Sequence, residues 1–122
     1  MSDAIYNPDV VIVGGGVAGL TVALNLAPRR VCVITKSSLG KNTSSSWAQG
    51  GIAAAVSKDD SNESHINDTL TTAKGLANID AIKEVVNNAK GIIVDLEGYG
   101  VNFDKNEDGS FILGLDGAHS FN

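Results

Sequence analysis

The first third of the chain alternates short apolar runs with a glycine-rich stretch that opens a helical pattern. Residues 9–13 (Asp-Val-Val-Ile-Val) and residues 31–34 (Val-Cys-Val-Ile) are apolar and largely β-branched, which predicts two buried parallel strands. Between them, apolar residues at positions 17, 20, 24 and 27 share one helical face, and Pro28 ends the helix. The pattern predicts a βαβ unit with a right-handed crossover.

Two further helices are predicted after a polar segment. Residues 37–51 are rich in Ser, Gly, Asn and Thr and are predicted to form a long loop, which in a compact domain usually has a function. Residues 64–76 are predicted to be helical. Apolar residues then recur at helical spacing from Ile79 to Leu96, which predicts an amphipathic helix over this stretch.

The last part of the chain predicts a β-hairpin. Two short runs, residues 100–103 and 110–113, flank the turn-forming stretch 104–109. Residues 117–122 contain neither a terminating strand nor a helix cap. We therefore expect the chain to stop within a domain.

Composition narrows the class of protein. The 122 residues are 43% hydrophobic and 19% charged, as in one globular domain or part of one, and this excludes a disordered chain and a fibre. The net charge of -5, with nine scattered Lys and Arg, excludes a basic surface for nucleic acid or an anionic membrane. The uncharged stretch 10–27 contains several glycines and follows acidic residues, so we predict neither a signal peptide nor a membrane span.

The lone Cys32 lies between two valines and is predicted to be a buried strand residue, not a reactive thiol. One cysteine forms no disulfide framework, which indicates a reducing compartment, by default the cytoplasm. His65 and His119 are too far apart in sequence to propose as a metal pair. Residues 104–109 match half of an EF-hand loop, but Leu115 stands where a bidentate Glu is required, so we predict a hairpin turn and no metal site.

A G-x-G-x-x-G motif follows the first predicted strand and opens the first predicted helix. In this position, between a strand and a helix, the motif is typical of dinucleotide-binding domains. The first glycine permits the tight turn, the second allows a pyrophosphate to approach, and the third lets the helix pack on the strand. The helix N-terminus offers free N–H groups and a partial positive charge. The candidate pyrophosphate-binding residues are Gly14, Gly15, Gly16, Val17, Ala18 and Gly19. The alternative is a glycine-rich turn without a ligand.

Lys36 follows the second strand, where dinucleotide-binding domains usually place a carboxylate for the adenosine ribose. A lysine does not accept the ribose hydrogen bonds. Either the ligand carries a 2′-phosphate or its ribose is held in another way. A solvated lysine at a strand end is the alternative.

A second cluster combines hydroxyls, an aromatic ring, an amide and glycines within eight residues. Such a segment supplies hydrogen-bond donors with little bulk and can run along a pyrophosphate and a ring system. The alternative is a flexible linker, which seldom carries Trp or Gln. Its residues are Ser44, Ser45, Ser46, Trp47, Ala48, Gln49, Gly50 and Gly51.

These motifs together resemble the L-aspartate oxidases, which belong with the flavoprotein subunits of succinate dehydrogenase and fumarate reductase. The resemblance runs from Asp9 to Ser120. It rests on residues 9–19, Thr35-Lys36, the Ala48-Gln49-Gly50-Gly51-Ile52-Ala53-Ala54 run, Asp59-Asp60-Ser61, His65, Asp68-Thr69-Leu70 and the ending 117–120. It implies an α/β fold, a three-layer Rossmann-like FAD/NAD(P)-binding domain with a parallel central sheet, truncated, with a C-terminal hairpin segment.

The resemblance also implies how the cofactor is held. The family binds FAD with a lysine at the position of Lys36. Members that attach FAD covalently have a histidine where this chain has Ser44, so non-covalent FAD is expected. Residues 1–122 are then the N-terminal part of an FAD-binding domain, without the substrate-capping and C-terminal helical domains.

On the substrate side, the family's Glu-Gly-Gly-His-Ser stretch matches residues 116–120. Asp116 would orient the substrate's amino group, and His119 is a candidate for the substrate pocket. Asp for Glu shortens the reach by one methylene, and Ala118 replaces a glycine. The family's catalytic arginine lies beyond Asn122, so the chain by itself is expected to be inactive.

The resemblance implies FAD-dependent oxidation of L-aspartate to iminoaspartate with oxygen or fumarate as acceptor. This is the first step of de novo NAD biosynthesis, with a functional link to quinolinate synthase. One alternative is a fumarate reductase or succinate-oxidising flavoprotein with non-covalent FAD. Another is an NAD(P)-binding module, in which Lys36 would meet a 2′-phosphate.

Overall fold

A computed structural model describes residues 6–121 of the chain. The described part of the chain divides into two compact units, which comprise residues 6–51 and residues 52–121. The first unit holds two strands and two helices, β1 (Val10–Val13), α1 (Val17–Asn25), β2 (Val31–Ile34) and α2 (Ser44–Trp47). The second unit holds α3 (Asn62–Ala73) and α4 (Ile79–Gly98).

The predicted βαβ unit is present in the first unit. β1 and β2 pair in parallel, with Val10 opposite Val31 and Val13 opposite Ile34. Pairing continues one residue past β1, because the Gly14 N–H donates to the Ile34 carbonyl at 2.9 Å. This hydrogen bond therefore fixes the position at which the glycine turn leaves the sheet.

The strands and α1 are less covered than the sequence predicts. Val13 is 84% exposed and Val17 is 58% exposed, and Cys32 is only half-buried. The expectation of fully buried strands is therefore wrong for this chain, since hydrophobic periodicity reports which face a segment can bury and not what covers it. Within the described residues 6–51, α1 lies against a two-stranded sheet, and a three-layer arrangement is not seen.

In the predicted loop 37–51 the structure has one helical turn, α2. Its N-cap is Thr43, whose hydroxyl oxygen accepts the Ser46 N–H at 3.1 Å. The Ser46 hydroxyl oxygen in turn accepts the Thr43 N–H at 3.1 Å. This reciprocal capping box satisfies two backbone donors and stabilises a turn in a sequence otherwise typical of a loop.

In the second unit, both predicted helices are present and pack on each other. Ile66 of α3 and Val86 and Ile93 of α4 are buried. Ser61 caps α3 and Asn78 caps α4, each side chain accepting a backbone N–H of the first turn. These caps explain why two helices so rich in polar residues begin where they do.

The predicted hairpin is reduced to a turn. Within residues 99–121, pairing is limited to one antiparallel bridge, between Lys105 and Phe111. The Asn106 N–H donates to the Ser110 carbonyl at 2.8 Å and closes the turn. The Ile112 N–H also donates to the Asp104 carbonyl at 2.9 Å, but the two predicted strands do not extend beyond this bridge, because short apolar runs are also compatible with extended backbone that has no ladder. Among residues 6–121, no helix has the length and apolar character that crossing a membrane requires.

Candidate functional site

Three of the four glycines of the G-x-G-x-x-G motif, Gly14, Gly15 and Gly19, are required by the protein itself. Gly14 has a φ of +117°, a conformation that other residues rarely adopt. A Cβ on Gly15 would lie 2.6 Å from Cγ2 of Thr35. A Cβ on Gly19 would lie 2.1 Å from the Gly14 carbonyl oxygen, so the missing side chain lets α1 approach the turn, as the sequence predicts.

Gly16 is different from these three glycines. It has a φ of -80°, which any residue adopts, and a Cβ there would meet only the Ser45 hydroxyl oxygen at 3.4 Å. Packing within the first unit therefore gives no strong reason for a glycine at this position. A ligand that approaches the backbone would give one, which is the role predicted for the second glycine of the motif.

The N-terminus of α1 is suited to an anion. Its N-cap is Gly16, which has no side chain to accept a hydrogen bond, and its first turn contains no acidic residue. The N–H groups of Ala18 and Gly19 lie in that first turn, where no carbonyl of the helix can accept them. No side chain of the first turn compensates the partial positive charge of this helix end, so the charge is available to a bound anion.

The second predicted binding segment reaches the same point. The Ser45 hydroxyl oxygen of α2 accepts the Val17 N–H at 3.1 Å, across 28 residues of sequence. The structure thus brings the glycine turn and the serine-rich segment together. The other members of that segment, Ser44, Ser46, Trp47, Ala48, Gln49, Gly50 and Gly51, are exposed, and a Cβ on Gly50 or Gly51 would meet nothing within 4 Å.

Lys36 lies two residues after the end of β2 and is exposed. It is therefore at the carboxyl edge of the parallel pair, the edge from which the glycine turn also starts. The neighbouring Thr35 hydroxyl donates to the Ser37 carbonyl, and the Ser37 hydroxyl donates to the Lys41 carbonyl at 2.6 Å. These bonds order the backbone around Lys36. Among residues 6–121, neither of the two ion pairs involves its ammonium group.

The substrate-side candidates lie in the second unit, in the segment 116–120. The Ser120 N–H donates to Oδ2 of Asp68 at 2.7 Å, and the Ser120 hydroxyl donates to Oδ1 at 2.8 Å. These bonds hold the pKa of the Asp68 carboxyl below its usual value. Asp116 is exposed, and its backbone carbonyl accepts the His119 N–H at 3.2 Å.

The two histidines, which the sequence separates widely, are in contact. The ring centroids of His65 and His119 are 4.5 Å apart, with the rings tilted by 50°. Next to them is a shallow cleft of about 310 Å³. It is lined by Asp68, Thr69, Thr72 and Ala73 of α3 and by residues 117–119. Within residues 6–121, no cluster of three or more metal-ligating side chains is present.

Sequence reasoning missed the role of α3 in holding the segment 116–120. A signal was available, because His65 and Asp68 are three residues apart and residues at this spacing share a helix face. Nothing in the pattern shows that residues 119 and 120 dock on that face. The contact depends on the path of the chain after α4.

Comparison with known families identifies the fold. A family model described as "FAD binding domain" matches residues 9–122. The chain belongs to this FAD-binding family. FAD is therefore its cofactor, and an NAD(P)-binding module is not supported.

Two curated relatives and two solved structures show how similar this chain is to known proteins. The L-aspartate oxidases of Agrobacterium fabrum and Bacillus subtilis are 46% and 44% identical over 98% and 93% of this chain. Mycobacterium smegmatis Sdh1 in complex with UQ1 superposes with a TM-score of 0.85 at 35% identity, over 95% of this chain and 20% of that chain. E. coli quinol fumarate reductase FrdA gives 0.77 at 27% identity, over 88% of this chain and 19% of that chain. The chain spans about a fifth of the length of the curated relatives, at 23% and 21%.

The first unit fits FAD. The anionic pyrophosphate needs backbone donors, a positive helix end and an approach free of side chains, and the start of α1 with Gly16 provides all three. The Ser45 hydroxyl oxygen accepts from Val17, and its own proton remains available as a donor. Ser44 offers no imidazole for a covalent link to the flavin.

Proposed function

We propose that this chain is the FAD-binding part of an L-aspartate oxidase, which converts L-aspartate to iminoaspartate with oxygen or fumarate as the electron acceptor. This reaction is the first step of de novo NAD biosynthesis. The observation that carries the cofactor part is the helix start at Gly16, where a glycine is present although protein packing does not require one. The similarity to two L-aspartate oxidases supports the choice of substrate.

In this proposal, the glycine turn and α1 bind the pyrophosphate. Gly14, Gly15 and Gly19 give the turn its shape, Gly16 leaves room for the phosphate oxygens, and the first-turn N–H groups donate to them. Lys36 binds on the adenosine side. Residues 44–51 follow the ribityl chain and the flavin ring, with the Ser45 hydroxyl at the pyrophosphate end.

Bound FAD supplies the two-electron acceptor, and the protein supplies orientation. The carboxylate of Asp116 is exposed and is proposed to attract the ammonium group of the amino acid substrate. His119 is proposed to line the pocket, with its ring supported by His65. The segment 116–120 therefore selects for an amino group and does not carry out the redox step.

The second candidate is a succinate-oxidising or fumarate-reducing flavoprotein. The superpositions on Sdh1 at 35% identity and on FrdA at 27% favour it, because each covers most of this chain, although the identities are lower than those of the two L-aspartate oxidases. Succinate and fumarate are dicarboxylates without an amino group. The negative charge of Asp116 would therefore repel them and oppose their binding. This difference makes the two candidates separable by substrate.

The experiment is an anaerobic absorbance titration of the protein produced from the complete reading frame, first with L-aspartate and then with succinate. Bleaching of the flavin by L-aspartate and not by succinate supports the proposal. Bleaching by succinate alone overturns it in favour of the second candidate. Asp116→Asn should raise the KM for L-aspartate, since the attraction to the ammonium group is lost, whereas Asp104→Asn in the turn 104–109 is the matched control.

A further inference from the structure

We propose that Asp68 is a positioning residue, whose carboxylate clamps Ser120 to α3 and thereby fixes the placement of Asp116 and His119 toward the substrate. The inference rests on the proposed function, which gives residues 116–120 their role. The clamp itself is a property of the second unit alone.

The clamp has two points of attachment. Oδ2 of Asp68 accepts the Ser120 N–H at 2.7 Å, and Oδ1 accepts the Ser120 hydroxyl at 2.8 Å. One carboxylate thus holds a backbone group and a side-chain group of the same residue, which fixes orientation as well as distance. Hydrogen bonds to a charged acceptor are roughly twice as strong as neutral ones. They keep the pKa of Asp68 low, so the carboxylate remains charged at neutral pH.

Apart from the clamp, two contacts order this segment: the His119 N–H donates to the Asp116 carbonyl at 3.2 Å, and the His119 ring contacts His65. Asp116, Gly117 and Ala118 are exposed and belong to no helix or strand. Ala118 has a φ of +72°, a left-handed conformation that costs a non-glycine residue free energy. A short exposed segment with an unfavourable residue does not keep one conformation unless its surroundings impose it. Asp68 supplies that constraint immediately beyond His119.

α3 fixes the clamp and the histidine contact together. His65 and Asp68 lie on one face of the helix, and they meet His119 and Ser120 in turn. The His65 carbonyl also accepts the Thr69 hydroxyl at 2.8 Å, within the same turn of α3. Loss of the carboxylate would release Ser120 and, with it, the ring of His119 and the turn that begins at Asp116.

The first test measures the clamp without activity. Amide hydrogen exchange at Ser120 is compared in the FAD-loaded protein from the complete reading frame and in its Asp68→Asn variant. Asn offers one acceptor oxygen where the carboxylate offers two, so we expect at least a tenfold loss of protection at Ser120. Asp95→Asn, the same change on α4, should leave it unaltered. Unchanged protection in Asp68→Asn overturns the clamp.

The second test separates positioning from a purely structural role. Asp68→Asn should raise the KM for L-aspartate about tenfold or more while the flavin spectrum and the affinity for FAD stay unchanged. Ser120→Ala keeps the N–H and loses one bond, so it should give a smaller change in the same direction and provides the test if Asp68→Asn does not fold. The two changes together should be less than additive.

Two outcomes distinguish the possible failures. A clamp confirmed by exchange together with an unchanged KM in both variants overturns the positioning role. Absence of flavin reduction by L-aspartate in the unaltered protein refutes the proposed function, and the positioning role with it. The exchange result still decides in that case whether Asp68 holds Ser120.

Discussion

The hydroxyl oxygen of Ser45 lies 3.1 Å from the backbone nitrogen of Val17 and accepts its hydrogen bond. A helix is usually capped by the residue that precedes it, but α1 is preceded by Gly16, which has no side chain. The missing acceptor comes instead from α2. The conformation of the serine-rich segment and the start of α1 therefore depend on each other.

The first prediction tests this dependence. Ser45→Ala removes the acceptor for Val17, and we expect a loss of about 1 kcal/mol in the free energy of unfolding. The affinity for FAD should fall roughly two- to tenfold, because the hydroxyl donor proposed to lie beside the pyrophosphate is lost as well. The affinity is measured by titrating the apoprotein with FAD while flavin fluorescence is monitored. Ser38→Ala is the matched control, and equal affinities of the two variants would contradict the prediction.

The second prediction separates Gly16, which is proposed to leave room for the ligand, from a glycine that shapes the fold. Gly16→Ala should lower the affinity for FAD more than about tenfold, since a methyl group would stand where the phosphate approaches. The apoprotein should lose at most about 1 kcal/mol, because the backbone there suits alanine and only the N-cap preference is affected.

Gly19→Ala is the comparison for Gly16→Ala. Its Cβ would lie 2.1 Å from the Gly14 carbonyl oxygen, so the turn must shift and the apoprotein itself should be destabilised. Urea unfolding of both apoproteins, beside FAD titrations, tests the contrast. Equal destabilisation by the two substitutions would mean that Gly16 also serves packing.

The third prediction concerns Ala118. Its φ of +72° disfavours alanine, and glycine removes that cost while adding entropy to the unfolded chain. We expect Ala118→Gly to raise the free energy of unfolding by up to about 1 kcal/mol. Ala89→Gly, within α4, should instead lower it by about 1 kcal/mol. Chemical denaturation measures both, and a similar loss in both would refute the prediction.

The fourth prediction is a dependence on pH. Hydrogen bonds from the Arg30 side chain, and then from its backbone N–H, hold the pKa of Asp9 below the usual value. A lowered folded-state pKa means that the interaction stabilises the fold above the ordinary aspartate pKa of about 3.9. The contribution is lost as the pH falls through the lowered value. Asp9→Asn should therefore be less stable at neutral pH and lose less stability on acidification.

Urea unfolding at about pH 7 and about pH 3 measures this dependence. Arg30→Met removes the side-chain donors but keeps the backbone N–H, so its dependence should lie between those of the unaltered protein and Asp9→Asn. Arg29→Met removes the same charge from the neighbouring residue and serves as the control. An Asp9→Asn variant as acid-sensitive as the unaltered protein would exclude this role of Asp9.

Local pattern predicted the helices and strands well where one segment determines its own structure. β2 spans Val31–Ile34 as predicted, and α4 begins at Ile79 as its spacing indicates. α1 ends at Asn25, two residues earlier than the pattern suggests, because the turn before Pro28 already leaves the helix.

What the sequence did not predict depends on partners distant in the chain. The runs around 104–109 lack a strand ladder, and Val17 and Leu24 on the apolar face of α1 are exposed, since periodicity does not specify a neighbour. The contacts of Ser45 with Val17 and of Ser120 with Asp68 join segments whose order alone says nothing about distance. The family resemblance pointed to these segments as functional but not to the hydrogen bonds that arrange them.

Trp47 ends α2 with 80% of its surface exposed, and it is the single tryptophan of this chain. Oxidised flavin absorbs light at the wavelengths at which indole emits. In the proposed arrangement, with the flavin beside residues 44–51, Trp47 is a fluorescence donor for energy transfer to the flavin. The part of the emission that Trp47→Phe removes therefore reports cofactor occupancy in real time, without a label and without turnover.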